Sequence, residues 1–225
     1  TDVPVRTVRA WGGPGGRHDG GPIGGDLGYL KYGVFAGDNR TFSVTLAVSV
    51  DDAELRRLLS EEQGFELAAS MLTVTSLWVA PGRATPLTGV HVMAGLLNRR
   101  REFVVDGAPL VLGVHPVGDA HLCTNPLYGR GCSTGFWSSH LLAAAFDEFP
   151  TDPRRRAIRH DELVDQQIAP HYRSSVTQDA EARRVAAALL AGEDPDDPND
   201  PRSFMRAVFR DGLAPALRTD SVVLR

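Results

Sequence analysis

Between an apolar run and a helix-forming run lies the stretch VGDAHLCTNPLYGRGCSTGF, residues 117–136, and it constrains the fold of this chain more than any other segment. The apolar residues 110–117 lead into Gly118-Asp119, which predicts a buried strand ending at an acid. A carboxylate in that position can accept hydrogen bonds from sugar or ribityl hydroxyls. The next residues form a loop containing Pro126, Gly129 and Gly131, and a helix follows. Glycines let backbone N–H groups come close to a ligand, and a helix N-terminus favours negative charge beside it. A strand, an acid, a glycine loop and a helix start therefore suit a polyhydroxylated, anionic cofactor. The blander reading is a strand–turn–helix with a capping Asp; the full spacing favours the cofactor.

The flanking sequence sets the fold class. Residues 3–11 alternate Val and Arg and read as a strand, and the glycine-rich residues 12–25 read as a linker. No G-x-G-x-x-G register fits that linker, and no helix follows it as a dinucleotide fingerprint requires. Residues 29–48 read as a hairpin about Gly37-Asp38-Asn39. Asp51 is expected to cap a helix through Leu59, with a second helix over residues 61–72. Strand character returns over residues 85–119, where Asp106-Gly107 is expected to join residues 102–105 to residues 109–114. Helices then follow: residues 133–146, one capped by Asp152 with Pro153 at its first position, and one continuing beyond Pro170 with Tyr172, Val176, Arg183, Ala187 and Leu190 in register. An acidic, Pro-rich loop spans 192–201, and a last helix is expected over 202–210. The order predicts an α+β fold with a mostly antiparallel sheet. Its expected divisions are a sheet domain with two helices over 1–108, the strand–loop–helix motif over 109–147, and a helical region over 148–225.

The motif resembles the second flavin-binding motif of the aromatic-hydroxylase class of flavoprotein monooxygenases, the para-hydroxybenzoate hydroxylase-like fold. The family pattern is G-D-A-x-H-x-x-x-P-x-x-G-x-G before a helix. Gly118, Asp119, Ala120, Pro126, Gly129 and Gly131 stand at that spacing. His121 lies one place earlier than the family histidine, so its role is not carried over. The resemblance implies FAD as cofactor, NAD(P)H as reductant and a small-molecule substrate. It implies that Gly118 and Asp119 meet the ribityl chain, and that Pro126, Leu127, Tyr128, Gly129, Arg130 and Gly131 line the isoalloxazine ring. It also implies that an antiparallel substrate sheet precedes the motif and helices follow it, the order found here. The family holds the ADP half of FAD on an N-terminal βαβ unit with its own glycine fingerprint, which these residues lack. The missing segment, in the same gene product or a separate chain, is therefore an expected partner, and the chain reads as the C-terminal part of a longer flavoprotein.

Other residues are weaker candidates. His91 and Met93 on GVHVMAG, His115, and Lys31 and Tyr32 on the hairpin read as substrate-facing if the sheet roofs the flavin, and as ordinary strand residues otherwise. Asn125 joins Tyr128 as a loop residue near the ring and is a candidate substrate contact, whereas Trp11 and Trp78 read as packing residues. Cys132, at the helix start, reads as a buried, inert thiol rather than a reactive one. No acid or base can be assigned to catalysis, and no Cys/His spacing suggests a metal. A net charge of −4 gives no reason to expect nucleic acid or an anionic membrane, and no apolar run approaches a membrane span. With only two cysteines and no signal peptide in view, a reducing cytoplasm is the expected compartment. The functional expectation is part of an FAD-dependent monooxygenase for an apolar or aromatic small molecule. The alternatives are a stand-alone ligand-binding or regulatory module without redox chemistry, and a flavin-dependent reductase of isoprenoid double bonds. The tryptophan halogenases of this fold carry a Trp-x-Trp-x-Ile-Pro motif that is absent from these residues.

Overall fold

The computed structural model describes residues 5–12, 23–196, 199, 201, 203–213 and 216. Most of the glycine-rich linker, residues 13–22, lies outside the described residues, as do Arg202 and parts of the acidic loop. By its internal contacts the chain divides into two units, one built on Gly95–Ala182 and the other on Pro4–Ala94 with Arg183–Arg225. These limits cut across the sequence boundaries at 108 and 147. The fold is α+β, and every strand pair among the described residues is antiparallel.

The unit built on Pro4–Ala94 carries the sheet. Its strands are β1 (Val5–Gly12), β2 (Gly24–Asp26), β3 (Leu30–Ala36), β4 (Thr41–Val48), β5 (Thr85–Pro86) and β6 (His91–Met93). They run in the order β2-β3-β4-β1-β5, and β6 also pairs with β1. The expected hairpin forms β3 and β4, with Asn39 and Arg40 both left-handed at the turn, a conformation that Asn tolerates and Arg rarely adopts. One correction falls at the linker's end, where Gly24 to Asp26 pair with β3. Trp11 and Phe42 are register partners on β1 and β4 and stack at 5.9 Å. Both are buried with Val44, Leu46, Leu59 and Phe65 in one core, so the two packing readings of Trp11 and of Trp78, which lies against that core, hold.

Helices α1 (Ala53–Ser60), α2 (Glu62–Met71) and α3 (Thr73–Val79) supply the other side of this core through Leu59, Phe65, Ala69 and Trp78. The cap of α1 is Asp52 and not Asp51: Asp52 accepts from the Leu55 N–H at 2.9 Å, while Asp51 pairs with Arg183 at 3.0 Å. Helix α3 had no signal in its β-branched sequence; the buried Thr75 hydroxyl ties it to the Ala69 carbonyl at the end of α2. At Gly64 helix α2 lies close against α1, since an added Cβ would collide with the backbone carbonyl of Leu58. Alanine ordinarily stabilises a helix interior by about 1 kcal/mol over glycine. Here a backbone collision that no rotamer relieves outweighs that gain. Gly64→Ala is therefore expected to lower unfolding stability by about 1–2 kcal/mol, read from the urea midpoint, and a raised midpoint would refute this close approach.

The unit built on Gly95–Ala182 contains the motif. Its short strands are β7 (Arg99–Arg100), β8 (Val104–Val105), β9 (Ala108–Pro109) and β10 (Leu122–Cys123). Its helices are α4 (Gly131–Glu148), α5 (Pro153–Gln167) and α6 (Ala169–Leu190), the last crossing into the other unit. The Asp106-Gly107 turn forms as expected, with φ of 50° and 71°, joining β8 to β9. The buried strand expected over 110–117 does not form. Among the described residues no strand pairs with that run, whose Leu110 N–H alone reaches back to the Phe103 carbonyl at 2.9 Å; Gly113 bends it at φ 82°, and Pro116 has no N–H to donate. Residues 110–114 are all exposed, Leu110 at 67%. Helix α5 begins as read, with Asp152 accepting from Arg155 N–H, and buries Ala157, His160, Leu163 and Val164. On α6 the buried face is rotated from the expected one: Ser175, Asp179 and Ala186 are buried, while Ala187 and Leu190 are exposed. The last helix, α7, covers Ser203–Ala207 and continues as a π-turn over Val208–Leu213.

Candidate functional site

Gly118 opens the motif in a left-handed conformation, φ 54°, that an L side chain would strain. Gly118–Ala120 is a 3-10 turn rather than a strand end. The Arg101 guanidinium donates to the carbonyl oxygens of Asp119 at 2.8 Å and Ala120 at 3.2 Å, which fixes the turn from its backbone. The Asp119 side chain is left exposed. Its charge still reaches inward: burial first, and Asp119 second, push the Cys123 thiol above its ordinary pKa against the opposing pull of Arg101 and Arg99.

Strand β10 pairs with β7 and delivers the chain to Asn125. Asn125 caps the 3-10 turn Pro126–Tyr128 by accepting from the Leu127 N–H at 2.9 Å, and Pro126 sits where no donor is needed. Gly129 ends the turn with φ 64°. Pro126, Gly129 and Gly131 are exposed, and an added Cβ at Gly129 or Gly131 would meet nothing within 4 Å. The loop backbone thus borders open space, as close approach of a ligand requires. Helix α4 starts at Gly131 with no side-chain cap, so its first-turn N–H groups are left to a ligand or solvent. Tyr128 lies beneath the Arg130 guanidinium at 4.9 Å and donates its hydroxyl proton to Asp179 at 2.7 Å. Burial, and then the Asp179 carboxylate, hold its phenol above the usual tyrosine range despite Arg130.

These features fit a flavin's ribityl and isoalloxazine end: an outward carboxylate, an open glycine backbone, an uncapped helix start and an aromatic–guanidinium pair. Gly118, Asp119, Pro126, Leu127, Tyr128, Gly129, Arg130 and Gly131 fall in one unit and one continuous segment. Most of the substrate candidates belong to the other unit. His91 and Met93 are exposed on β6, in the unit built on Pro4–Ala94. In that same unit Lys31 pairs with Asp26 at 3.1 Å, and Tyr32 packs on the core. Asn125 is 1% exposed with its amide committed inside the protein, so it shapes the loop from beneath. Cys132 is exposed rather than buried.

Two groups escaped the sequence reading. One is Asn98 with Asp179, buried beneath the loop; a charged residue on the inward face of α6 was the available signal. The other is a histidine cluster behind the Gly118 turn. His121 and His160 are each 2% exposed with ring centroids 5.8 Å apart, and His115 stands 6.2 Å from His160. Burial first, then His121 and His115, push His160 down from 6.5 to about 4. Burial and Arg156 likewise lower His115. A cavity of about 10 Å³, with Val111, Val114 and Asp161 among its walls, adjoins all three rings. Among the described residues no group of three or more His, Cys, Asp or Glu is arranged to hold a metal ion, and no helix is long and apolar enough to cross a membrane.

No family model matches the sequence, and no curated protein matches it. Solved structures do match its fold. A flavin-dependent brominase, the Bmp2 triple mutant Y302S F306V A345W, superposes with a TM-score of 0.53 at 16% identity over 97% of this chain and 54% of its own. The protein pqsL from Pseudomonas aeruginosa, described as a probable FAD-dependent monooxygenase, gives 0.51 at 14% identity over 93% and 52%. At this identity the likeness establishes the fold: a flavin-monooxygenase-like α+β architecture, in agreement with the one implied by the motif. The chain spans about half the length of these structures.

Proposed function

We propose that this chain is the part of an FAD-dependent oxidoreductase that holds the isoalloxazine and ribityl end of the cofactor, within a monooxygenase for an apolar or aromatic small molecule. The observation that carries the reading is the open glycine backbone at Gly129 and Gly131 leading into the uncapped start of α4, on the shared fold of flavoenzymes. Asp119 would accept from ribityl hydroxyls, and Tyr128 with Arg130 would border the ring. Backbone N–H groups at the start of α4 would stabilise negative charge on its pyrimidine edge. When bound, FAD supplies the redox chemistry, with NAD(P)H as reductant and oxygen as co-substrate. A dinucleotide-binding segment, joined to this chain or separate, would take the ADP end.

The division of labour makes a test. Since this chain meets only the flavin half, FMN and FAD should bind the 225 residues with similar, weak affinity, and adding the dinucleotide-binding segment should tighten FAD alone. Linking two anchors gains roughly 10²–10⁴ in effective concentration. Asp119→Ala should weaken FMN about ten- to a hundred-fold by loss of a charge-assisted hydrogen bond. Fluorescence titration reads both; equal FMN affinity for the variant would remove Asp119 from the site, and no flavin binding under either condition would end the proposal.

A further inference from the structure

Beneath the exposed loop lies a carboxylate with no cationic partner among the described residues. Asp179, on α6, is 2% exposed and forms no ion pair there. Three side-chain donors converge on it instead: Asn98 Nδ2 at 2.5 Å on one oxygen, and Asn125 Nδ2 and Tyr128 Oη, both at 2.7 Å, on the other. The orientation of both amides is dictated by the backbone. Asn98 Oδ1 accepts from the Asn125 N–H at 2.8 Å, and Asn125 Oδ1 accepts from the Leu127 N–H at 2.9 Å. With both oxygens committed, each amide must turn its NH2 toward residue 179. A group that accepts from three donors at once is required there, and a carboxylate meets that need where an amide cannot.

The donors are also placed tellingly. Asn125 caps the Pro126–Tyr128 turn and Tyr128 is its last residue, so one carboxylate holds both ends of the turn. We infer that Asp179 is a positioning residue for the loop: its carboxylate sets where Tyr128, Gly129 and Arg130 stand, and thereby the shape presented to the flavin. This inference rests on the flavin reading for its ligand and on the hydrogen-bond geometry for its mechanism. Asp179 does not touch the ligand itself. Holding the tyrosine hydroxyl inward also leaves the Tyr128 ring as a contact surface rather than a proton donor.

The test uses the 225-residue chain and three variants, Asp179→Asn, Tyr128→Phe and the two together. Amide hydrogen exchange and FMN titration, with the visible spectrum of the bound flavin, are followed in each. Asp179→Asn should raise exchange at Leu127, Tyr128 and Gly129 about tenfold, with a similar loss of FMN affinity. Amides of α4 at Leu141 and Ala145 should keep their protection. Tyr128→Phe is the milder change and should act on the same amides to a smaller degree. In the double variant it should add almost nothing to Asp179→Asn, since the bond it deletes is already gone. Unaltered loop exchange in Asp179→Asn overturns the inference, as does exchange that rises equally in α4, which is what a merely structural role gives. Additive effects of the two substitutions overturn it too. If the parent chain binds no FMN, the flavin reading fails while loop exchange still decides the role of Asp179.

Discussion

Acidifying the protein from pH 7 to pH 4 is expected to remove on the order of 3 kcal/mol of stability through His160 alone. His160 is 2% exposed on α5, and its pKa is pushed down from 6.5 to about 4. The leading cause is burial, which disfavours the imidazolium. The rings of His121 and His115 add to it, and a hydrogen bond to the Ser138 backbone and the charge of Asp161 oppose it without prevailing. Because the folded value is depressed, the unfolded chain takes up a proton near pH 6.5 that the folded one refuses until about pH 4. The contribution is therefore complete above pH 6.5 and is lost as pH falls across that window. His115, lowered by burial and Arg156, acts in the same direction. Urea unfolding at pH 7 and pH 4 should show the loss, and His160→Leu, which cannot titrate and leaves no Nε2 unpartnered, should shrink it. Parallel pH profiles for the two proteins would show that His160 is not buried neutral.

Replacing both Glu62 and Glu66 by alanine should cost about 3–5 kcal/mol, as much as emptying a large core position. The reason is Arg9. Its guanidinium is buried beside Trp11 on β1 and meets Glu66 at 2.8 Å, Glu62 at 3.1 Å and the Thr88 carbonyl at 2.8 Å. Removing the two carboxylates strands a buried charge, whereas removing the arginine leaves two acids that are well exposed, at 60% and 49%. The triple variant with Arg9→Met should therefore recover most of the loss. Denaturant unfolding separates the cases: a triple variant no more stable than the double one would mean that the charge was never desolvated.

The Val/Arg alternation of β1 shows how far pattern alone reaches. A run rich in Val and Thr marks a strand, and here one forms, but it does not say which face is covered. Arg9 shares the inward face with Trp11 because Glu62 and Glu66 of α2 come to meet it, a fact held by residues more than 50 positions away. The same limit explains residues 110–114. Their apolar character predicts a buried strand, yet a strand needs a ladder of a partner's N–H and C=O groups, and among the described residues they meet only the Phe103 carbonyl, through the Leu110 N–H.

Where the signal is local, the sequence was sufficient by itself. The hairpin of β3 and β4, the left-handed Asp106-Gly107 turn, the Asp152 cap with Pro153, and the loop from Pro126 to the start of α4 each depend on φ preferences, missing donors or side chains within a few residues. The motif's spacing named the flavoenzyme fold for the same reason, since a glycine turn into a helix is a short-range device. What only the tertiary structure decided is everything that desolvates a polar group. Asn98, Asn125 and Asp179 are ordinary surface residue types until the segment before β7, a loop and a helix bring donors and acceptor together. His115, His121 and His160 share an environment only once the motif lies against α5. Burial makes such polar groups consequential, and burial is a property of surfaces meeting, which no single stretch of chain encodes.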